Sequence, residues 1–170
     1  MRTSSSADLG EPVTRDQQPE MCRARACPLP KISPFTGGKN LSTTKTLEEK
    51  LKALKLTEAD RKILKRICCQ LSRLPFVKRI LLYGSKARGD WEEESDLDLL
   101  VLVEGLSEER KRKVREIVYQ AMWDENFPVF VSTMVYDEEK FFQLCEMGIP
   151  FALNAVEEGV ELWAKSTSRV

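Results

Sequence analysis

The segment LDLLVLV, residues 97–103, constrains the fold more than any other part of this chain. Apart from Asp98, its residues are apolar on both faces of the strand that they would form. A strand of this kind is covered on both sides, as in sheets that have helices packed on each face. The rest of the chain must therefore supply helices for both faces of a sheet.

The hydrophobic pattern supplies such helices in the order ααβ, turn, βαβα, which predicts an α/β or α+β domain. Apolar residues recur at helical spacing from Leu47, and the acidic turn after Thr57 indicates the start of a second helix. We predict further helices over 107–124, 137–146 and 151–158, and strands over 76–83, 97–103 and 127–136. A short apolar segment over 160–163 follows the last helix.

The first 44 residues differ in composition from the rest of the chain. Five of the eight prolines fall there, among Ser, Thr and Gly, and no apolar period is present. Such a segment cannot bury enough surface to offset the entropy lost on ordering it. We therefore predict a disordered tail over 1–44 and a single domain over 45–167.

Composition and charge argue against several classes of protein. The 27 basic residues balance the 27 acidic ones, so no net charge favours a nucleic acid or a membrane surface. No run approaches the roughly 20 apolar residues that span a bilayer, and the N-terminus lacks the apolar core of a secretory signal. The five cysteines lack the spacing of a disulfide framework. We expect a cytoplasmic protein.

The chain contains no histidine. This excludes Ser-His-Asp and Cys-His catalytic units within it, and every imidazole metal ligand. Any chemistry must then use carboxylates, Lys, Arg, Ser, Tyr or a metal held by oxygen atoms. The segment GSKARGDWEEESDLDLLVLV, residues 84–103, offers such groups.

A Gly-Ser pair opens this segment, directly after a predicted strand. Gly84 would let the backbone approach a bulky anion, and the N–H groups of a helix start point toward such an anion. Ser85 adds a hydroxyl donor, and Lys86 and Arg88 add positive charge. The pattern suits a phosphate cradle, although Gly-Ser turns after strands are also common without a ligand.

Two aspartates, Asp96 and Asp98, lie where the next strand begins. Side chains alternate along a strand, so both would point to one side, roughly 7 Å apart at the backbone. Two such charges repel unless a cation neutralises them. Mg²⁺ usually binds through one or two carboxylates plus substrate phosphates. The alternative is a pair of exposed carboxylates at a strand entrance.

Gly84, Ser85, Asp96 and Asp98 together form the pattern G-S-x10-D-x-D. In this pattern the chain resembles the nucleotidyltransferases of the DNA polymerase beta-like superfamily. The surrounding GSKARGDWEEESDLDLLV is similar to the small stand-alone branch, the minimal nucleotidyltransferases. The resemblance covers about residues 60–165 and implies the polymerase beta-like fold, a small mixed β-sheet flanked by helices.

The resemblance implies a Mg²⁺-dependent enzyme that transfers a nucleoside monophosphate, with AMP from ATP as the first candidate. The acceptor would be a hydroxyl of a partner protein or of a small molecule. The Gly-Ser turn and the two basic residues after it would hold the phosphates, and the two aspartates would hold the metal. Members of this branch often pair with a helical HEPN-type protein, and some are antitoxins that transfer AMP to it.

One feature departs from the superfamily pattern. Complete sites carry a third acid on the following strand, where it acts as a base or a second metal ligand. FPVFVSTMVY contains no acid, and Ser132 falls about where that carboxylate would be. Asp124, Glu125 and Asp137 lie outside this predicted strand. Loss of a general base typically costs about 10²–10⁴-fold in rate, so a slow enzyme remains an option.

The missing acid leaves a second interpretation open. The chain could be a weak or inactive nucleotidyltransferase-fold module that regulates a helical partner by contact. The charged helix from Ser107 and the apolar segment 160–163 would then supply the interface. The three tryptophans are expected to be packing residues, because no basic-aromatic interleaving of the nucleic-acid kind is present.

Overall fold

The computed structural model describes residues 45–166. The predicted tail over 1–44 lies outside these residues, so the division of the chain into tail and domain stays a prediction. The helices are α1 (Leu47–Ala53), α2 (Glu58–Leu71), α3 (Gly84–Arg88), α4 (Glu108–Asp124), α5 (Glu138–Glu146) and α6 (Pro150–Glu157). The strands are β1 (Val77–Tyr83), β2 (Leu97–Val103), β3 (Val131–Asp137) and β4 (Val160–Ala164).

The four strands form one mixed sheet in the order β3-β2-β1-β4. Strands β2 and β3 are parallel, and α4 connects them as a crossover helix. Strand β1 is antiparallel to β2 on one side and to β4 on the other. The predicted class, a small mixed β-sheet flanked by helices, is confirmed.

Strand β2 is buried on both faces, as its sequence predicts. Leu97, Leu99 and Val101 belong to the core that the sheet forms with α1, α2 and α4. Leu100 and Leu102 belong to a second core, formed with α5 and α6. Because side chains alternate along a strand, Asp98 shares the face of Leu100 and Leu102, which is the face covered by α5 and α6.

Two predicted segments differ from the structure. Strand β3 begins at Val131 and not at 127, because Asn126 and Phe127 adopt positive φ angles of 59° and 51° in the turn before it. The apolar segment over 160–163 is strand β4, paired with β1, and Leu162 is 2% exposed. This segment is therefore an edge strand of the sheet, and its place in a partner interface stays a prediction.

Within residues 45–166, every helix is too short or too polar to cross a lipid bilayer.

Candidate active site

Three polar side chains form a row across one end of the neighbouring strands β1, β2 and β3. Asp98 on β2 is the ladder partner of Tyr83 on β1 and of Ser132 on β3. Neighbouring strands lie about 4.8 Å apart, so the three side chains stand side by side on the α5–α6 face. Each of the three is partly exposed, so a ligand can reach this row.

The Asp98 carboxylate is in an electrostatically unfavourable position. Partial burial, and then the negative charge of Asp96, raise the pKa of Asp98. A hydrogen bond with the Ser132 side chain and the more distant charge of Arg88 oppose this effect. Asp96 is exposed and directly precedes β2. The structure therefore brings the two predicted carboxylates into electrostatic contact at the mouth of the strand.

Tyr83 is the second hydroxyl beside Asp98. Burial, and then the nearby Asp98 charge, raise the pKa of Tyr83 to about 12. Its ring packs edge-on against Phe151 of α6, with 5.8 Å between the ring centroids. Tyr83 is therefore a protonated, well-anchored donor at neutral pH. Sequence reasoning missed it, although its place at the end of β1, directly before Gly84, was a usable signal.

Gly84 connects the two halves of the predicted site. Its φ angle is +74°, and a Cβ atom added at Gly84 would lie 2.4 Å from Oδ2 of Asp98. The backbone of the Gly-Ser turn is thus in direct contact with the Asp98 carboxylate. Only glycine adopts this φ angle without strain and also leaves room for the carboxylate.

Ser85 and Arg88 lie at the two ends of the single-turn helix α3, which Gly89 ends at a φ angle of +86°. Ser85 is half-buried in the first turn, immediately after the glycine that touches Asp98. Arg88 is exposed and forms ion pairs with Asp90 at 3.1 Å and with Glu158 at 2.9 Å. Its charge still acts on the pKa of Asp98, so the guanidinium lies within electrostatic range of the site.

Lys86 does not lie where the sequence placed it. Its ammonium group is buried in an ion pair with Asp60 of α2, with 2.9 Å between Nζ and Oδ2. The side chain is 2% exposed, so solvent and ligands do not reach it. The predicted phosphate contact is therefore not supported. The sequence shows that Lys86 is charged, but it does not show that Asp60 would be its buried partner.

The acids considered as substitutes for the third carboxylate are all engaged elsewhere. Asp124 and Glu125 bind Arg66 of α2. Asp137 is the last residue of β3 and pairs with Val103, at the opposite end of β2 from Asp98. Its carboxylate accepts hydrogen bonds from the backbone N–H groups of Gly105 and Lys140. The position beside Asp98 belongs to Ser132, as the sequence alignment of the strand predicted.

The residues present fit a magnesium ion. In the described part of the chain, no three His, Cys, Asp or Glu side chains converge into a closed metal site. Asp96 and Asp98 instead offer two carboxylates. Burial and then the charge of Asp96 raise the pKa of Asp98, and a cation between the two would relieve their repulsion. Mg²⁺ takes hard oxygen ligands, keeps waters and completes its shell with substrate phosphates, so it suits such a partial donor set.

Comparison with known proteins identifies a family for the part of the chain that contains this site. A family model described as nucleotidyltransferase domain matches residues 61–151, more than half of the chain. The matched range contains the Gly-Ser turn, both aspartates and Ser132.

Two curated relatives come from Methanocaldococcus jannaschii, and both are named "Putative protein adenylyltransferase". One is 36% identical over 58 residues, which are 34% of this chain and 58% of that protein. The other is 58% identical over 26 residues, which are 15% of this chain and 26% of that protein. The chain thus spans less than two thirds of the length of either relative.

Two solved structures are distant likenesses of the fold. A "putative nucleotidyltransferase" from Sulfolobus solfataricus has a TM-score of 0.42 at 20% identity, covering 77% of this chain and 98% of that chain. A structure described as "the toxin-antitoxin with AMP-PNP" has a TM-score of 0.38 at 18% identity, covering 65% of this chain and 76% of that chain.

Proposed function

The chain belongs to the nucleotidyltransferase domain family, and from that premise we propose that it transfers AMP from ATP to a hydroxyl group of a protein, with Mg²⁺ as the cofactor. The contact between Gly84 and Asp98 carries the proposal. It joins a phosphate-binding turn to a carboxylate pair, and a nucleoside triphosphate with its metal needs both. The names of the curated relatives support a protein as the acceptor, and a small molecule is the alternative.

Asp96 and Asp98 would hold the metal, which supplies positive charge to the phosphates as pyrophosphate leaves. The backbone of Gly84 and the hydroxyl of Ser85 would bind the β- and γ-phosphates. Arg88 would add a guanidinium contact to a phosphate oxygen after it leaves its partners Asp90 and Glu158. Lys86 has no phosphate contact in this proposal, because its ammonium group is buried against Asp60.

Among the described residues, no acid other than the proposed metal ligand Asp96 stands beside Asp98. No further carboxylate is therefore available to take the proton of the acceptor hydroxyl. Ser132 occupies the ladder position next to Asp98, and a serine hydroxyl is not a base at neutral pH. Tyr83, with its pKa raised to about 12, stays protonated as well. We therefore propose a slow transferase, in which positioning and charge neutralisation provide most of the rate.

The reaction would take place in the cytoplasm. The free thiols of Cys68, Cys69 and Cys145 are in keeping with a reducing compartment.

Isothermal titration and AMP labelling test this proposal together. ATP is titrated into the protein with and without Mg²⁺, and lysate proteins are incubated with [α-³²P]ATP or, separately, with [γ-³²P]ATP. We expect Mg²⁺-dependent binding, and label from the α-phosphate that appears only when this protein is added. The γ-phosphate leaves with pyrophosphate, so the protein should add no label from it. Asp96→Ala/Asp98→Ala should abolish both signals, whereas Glu94→Ala removes an exposed acid of the same loop and should change neither. Full activity in the double variant would refute the site.

A second function, regulation of a helical partner by contact, is favoured by one surface. Tyr119, Trp123 and Phe127 are 54%, 60% and 43% exposed, and their rings contact one another at the end of α4. Three exposed aromatic rings in one cluster are unusual on a surface without a partner, and aromatic side chains are frequent anchors of interfaces. This observation also corrects the expectation that Trp123 is a packing residue.

The two functions predict different effects of the same variants on partner capture and on AMP labelling. If contact is the function, Trp123→Ser should abolish partner capture, and Asp96→Ala/Asp98→Ala should leave it intact. If transfer is the function, the aspartate variant abolishes labelling whatever happens to capture. Co-purification with a small helical protein, sought first among the products of neighbouring genes, provides the binding measurement.

A further inference from the structure

Lys86 is enclosed between an anion and an aromatic ring. Its Nζ donates a hydrogen bond to Oδ2 of Asp60 at 2.9 Å, and the two side chains are 2% and 1% exposed. On the other side, Nζ lies 3.8 Å from the centroid of the Trp91 ring. An ammonium group in this position has lost its water and depends on these two partners.

Both partners of Lys86 are held by further contacts. The same Oδ2 atom of Asp60 accepts the backbone N–H of Thr57 at 2.9 Å, within the capping box that begins α2. Trp91 donates its Nε1–H to the backbone carbonyl of Lys55, in the segment between α1 and α2. The ammonium group therefore connects α3 to two fixed points at the start of α2.

Besides Lys86, helix α3 is held by Ala87, which packs against the core, and by the exposed ion pair of Arg88 with Glu158. It is a single turn of five residues, it has no side-chain cap at its N-terminus, and a glycine with positive φ stands at each end. A helix this short is unstable unless tertiary contacts hold it. Its first two residues, Gly84 and Ser85, are the proposed phosphate-binding turn.

We propose that Lys86 is a positioning residue for nucleotide binding. Through its contacts with Asp60 and Trp91, it holds the Gly84–Ser85 turn against the Asp98 carboxylate. This inference rests on the proposed function and deepens it. A supporting residue that fixes the geometry of a site commonly contributes about 10–100-fold to ligand or metal affinity, although it never touches the ligand.

The inference accounts for a feature that stability alone does not require. Replacing a buried ion pair by apolar groups of similar size is often neutral or stabilising. An ion pair and a ring contact that converge on one ammonium group do, however, define a single orientation for the side chain that makes them. A phosphate-binding turn needs a defined orientation more than it needs extra stability.

The experiment uses two variants and a matched control. Lys86→Met keeps the length of the side chain but leaves Asp60 buried without its partner. Lys86→Met/Asp60→Asn removes both charges, while the amide oxygen at 60 can still cap α2. The control is Lys50→Met, which removes another buried lysine, 7% exposed and bonded at 2.9 Å to the backbone carbonyl of Glu161 on β4.

Hydrogen–deuterium exchange of the nucleotide-free proteins measures whether the contacts of Lys86 with Asp60 and Trp91 hold helix α3 in place. We expect the Gly89 N–H, which bonds to the Ser85 carbonyl at 2.8 Å, to be protected in the wild-type protein, whereas the first N–H groups of α3 have no partner within the helix. Both Lys86 variants should lose this protection, and Lys50→Met should retain it. An unprotected Gly89 amide in the wild-type protein would overturn the inference before any variant is made.

Titration with Mg²⁺-ATP measures the consequence for the site. We expect the affinity to fall about 10–100-fold in the double variant while its thermal midpoint stays near that of the wild type, and to be unchanged in Lys50→Met. Loosened amides with unchanged affinity would refute the positioning role. If the wild type binds no nucleotide, the proposed function fails and the positioning role fails with it. The exchange data would still show separately whether Lys86 holds helix α3 in place.

Discussion

Asp98 and Ser132 are direct partners in the parallel ladder between β2 and β3, and the Ser132 hydroxyl acts to lower the pKa of Asp98. The hydroxyl therefore occupies the place next to the site where a carboxylate could serve as base or as second metal ligand. A serine at this position stabilises the ionised form of Asp98 without adding a charge. The same geometry indicates how activity could be increased.

Ser132→Asp should increase the rate of AMP transfer. An aspartate at this ladder position would stand beside Asp98 and could accept the proton of the acceptor hydroxyl. A general base contributes about 10²–10⁴-fold, so we expect a rise of that order in turnover, measured as pyrophosphate release from Mg²⁺-ATP. Without Mg²⁺ the variant should melt at a lower temperature than the wild type, because three carboxylates then repel one another.

Ser132→Asn is the matched control for this gain. It has nearly the shape of aspartate but no charge, so it should leave turnover at the wild-type level or below it. Equal rates for the aspartate and asparagine variants would contradict the assignment of Ser132 to the place of the missing base.

Gly84→Ala should disrupt the metal site, and Gly148→Ala provides its control. The two glycines have nearly equal φ angles, +74° and +72°, so both substitutions impose a similar backbone strain of about 1–2 kcal/mol. At Gly84 the new Cβ would also meet Asp98 at 2.4 Å, whereas nothing lies within 4 Å at Gly148. Only Gly84→Ala should therefore displace the carboxylate.

Urea unfolding and Mg²⁺ titration compare these two variants. We expect a larger loss of unfolding free energy for Gly84→Ala, and a loss of Mg²⁺-dependent ATP binding in that variant only. The close approach of Gly84 to Asp98 would have no functional role if both variants bound ATP as the wild type does.

Asp98→Asn should stabilise the metal-free protein at neutral pH. Because the folded-state pKa of Asp98 is raised, mainly by burial and then by Asp96, the folded state holds this proton more tightly than the unfolded chain. The wild type therefore loses stability as pH rises from the ordinary carboxyl value through the raised pKa. Below both values the carboxyl is neutral in either state, and its penalty is absent.

Thermal midpoints in EDTA between pH 3 and pH 8 test this sign. The advantage of Asp98→Asn over the wild type should be present at neutral pH and should disappear toward pH 3. Added Mg²⁺ should raise the midpoint of the wild type and not that of the variant. A variant that is less stable than the wild type at neutral pH, but not near pH 3, would indicate that the ionised carboxylate stabilises the fold.

The sequence predicts this fold well where local pattern determines structure. Strand β2 has the predicted bounds, because a run that is apolar on both faces fits only a central strand. The N-cap of α4 at Ser107 follows from its hydroxyl and the acidic turn after it. The late start of β3 was not predictable, since nothing in the residue types at 126 and 127 requires two consecutive positive φ angles.

The candidate site shows the same limit. The spacing of Gly84 and Asp98 indicated a joint site, and the structure puts the two in contact. The environment of Lys86 depends on Asp60, which lies 26 positions away on another helix, so charge pattern could not distinguish a phosphate contact from a buried ion pair. Sequence spacing predicts neighbours within an element, whereas contacts between elements depend on the packing of the sheet and its helices.

Arg88 provides the last prediction, because the partner that holds it lies 70 positions away on the chain. Its guanidinium bonds to Glu158 and Asp90, and in our proposal it must leave them to reach a phosphate. Glu158→Gln should therefore tighten Mg²⁺-ATP binding, by less than about fivefold, since exposed ion pairs are weak. Arg88→Ala should weaken it.

The double variant Arg88→Ala/Glu158→Gln decides whether Glu158 acts through Arg88. If it does, adding Glu158→Gln to Arg88→Ala should change nothing, which is the non-additivity expected of residues in contact. Glu157→Gln removes the neighbouring exposed charge and controls for the general field, so it should leave the affinity unchanged. An equal gain from Glu158→Gln with and without Arg88 would assign the effect to overall charge, and Arg88 would lose its role as a phosphate contact released from Glu158.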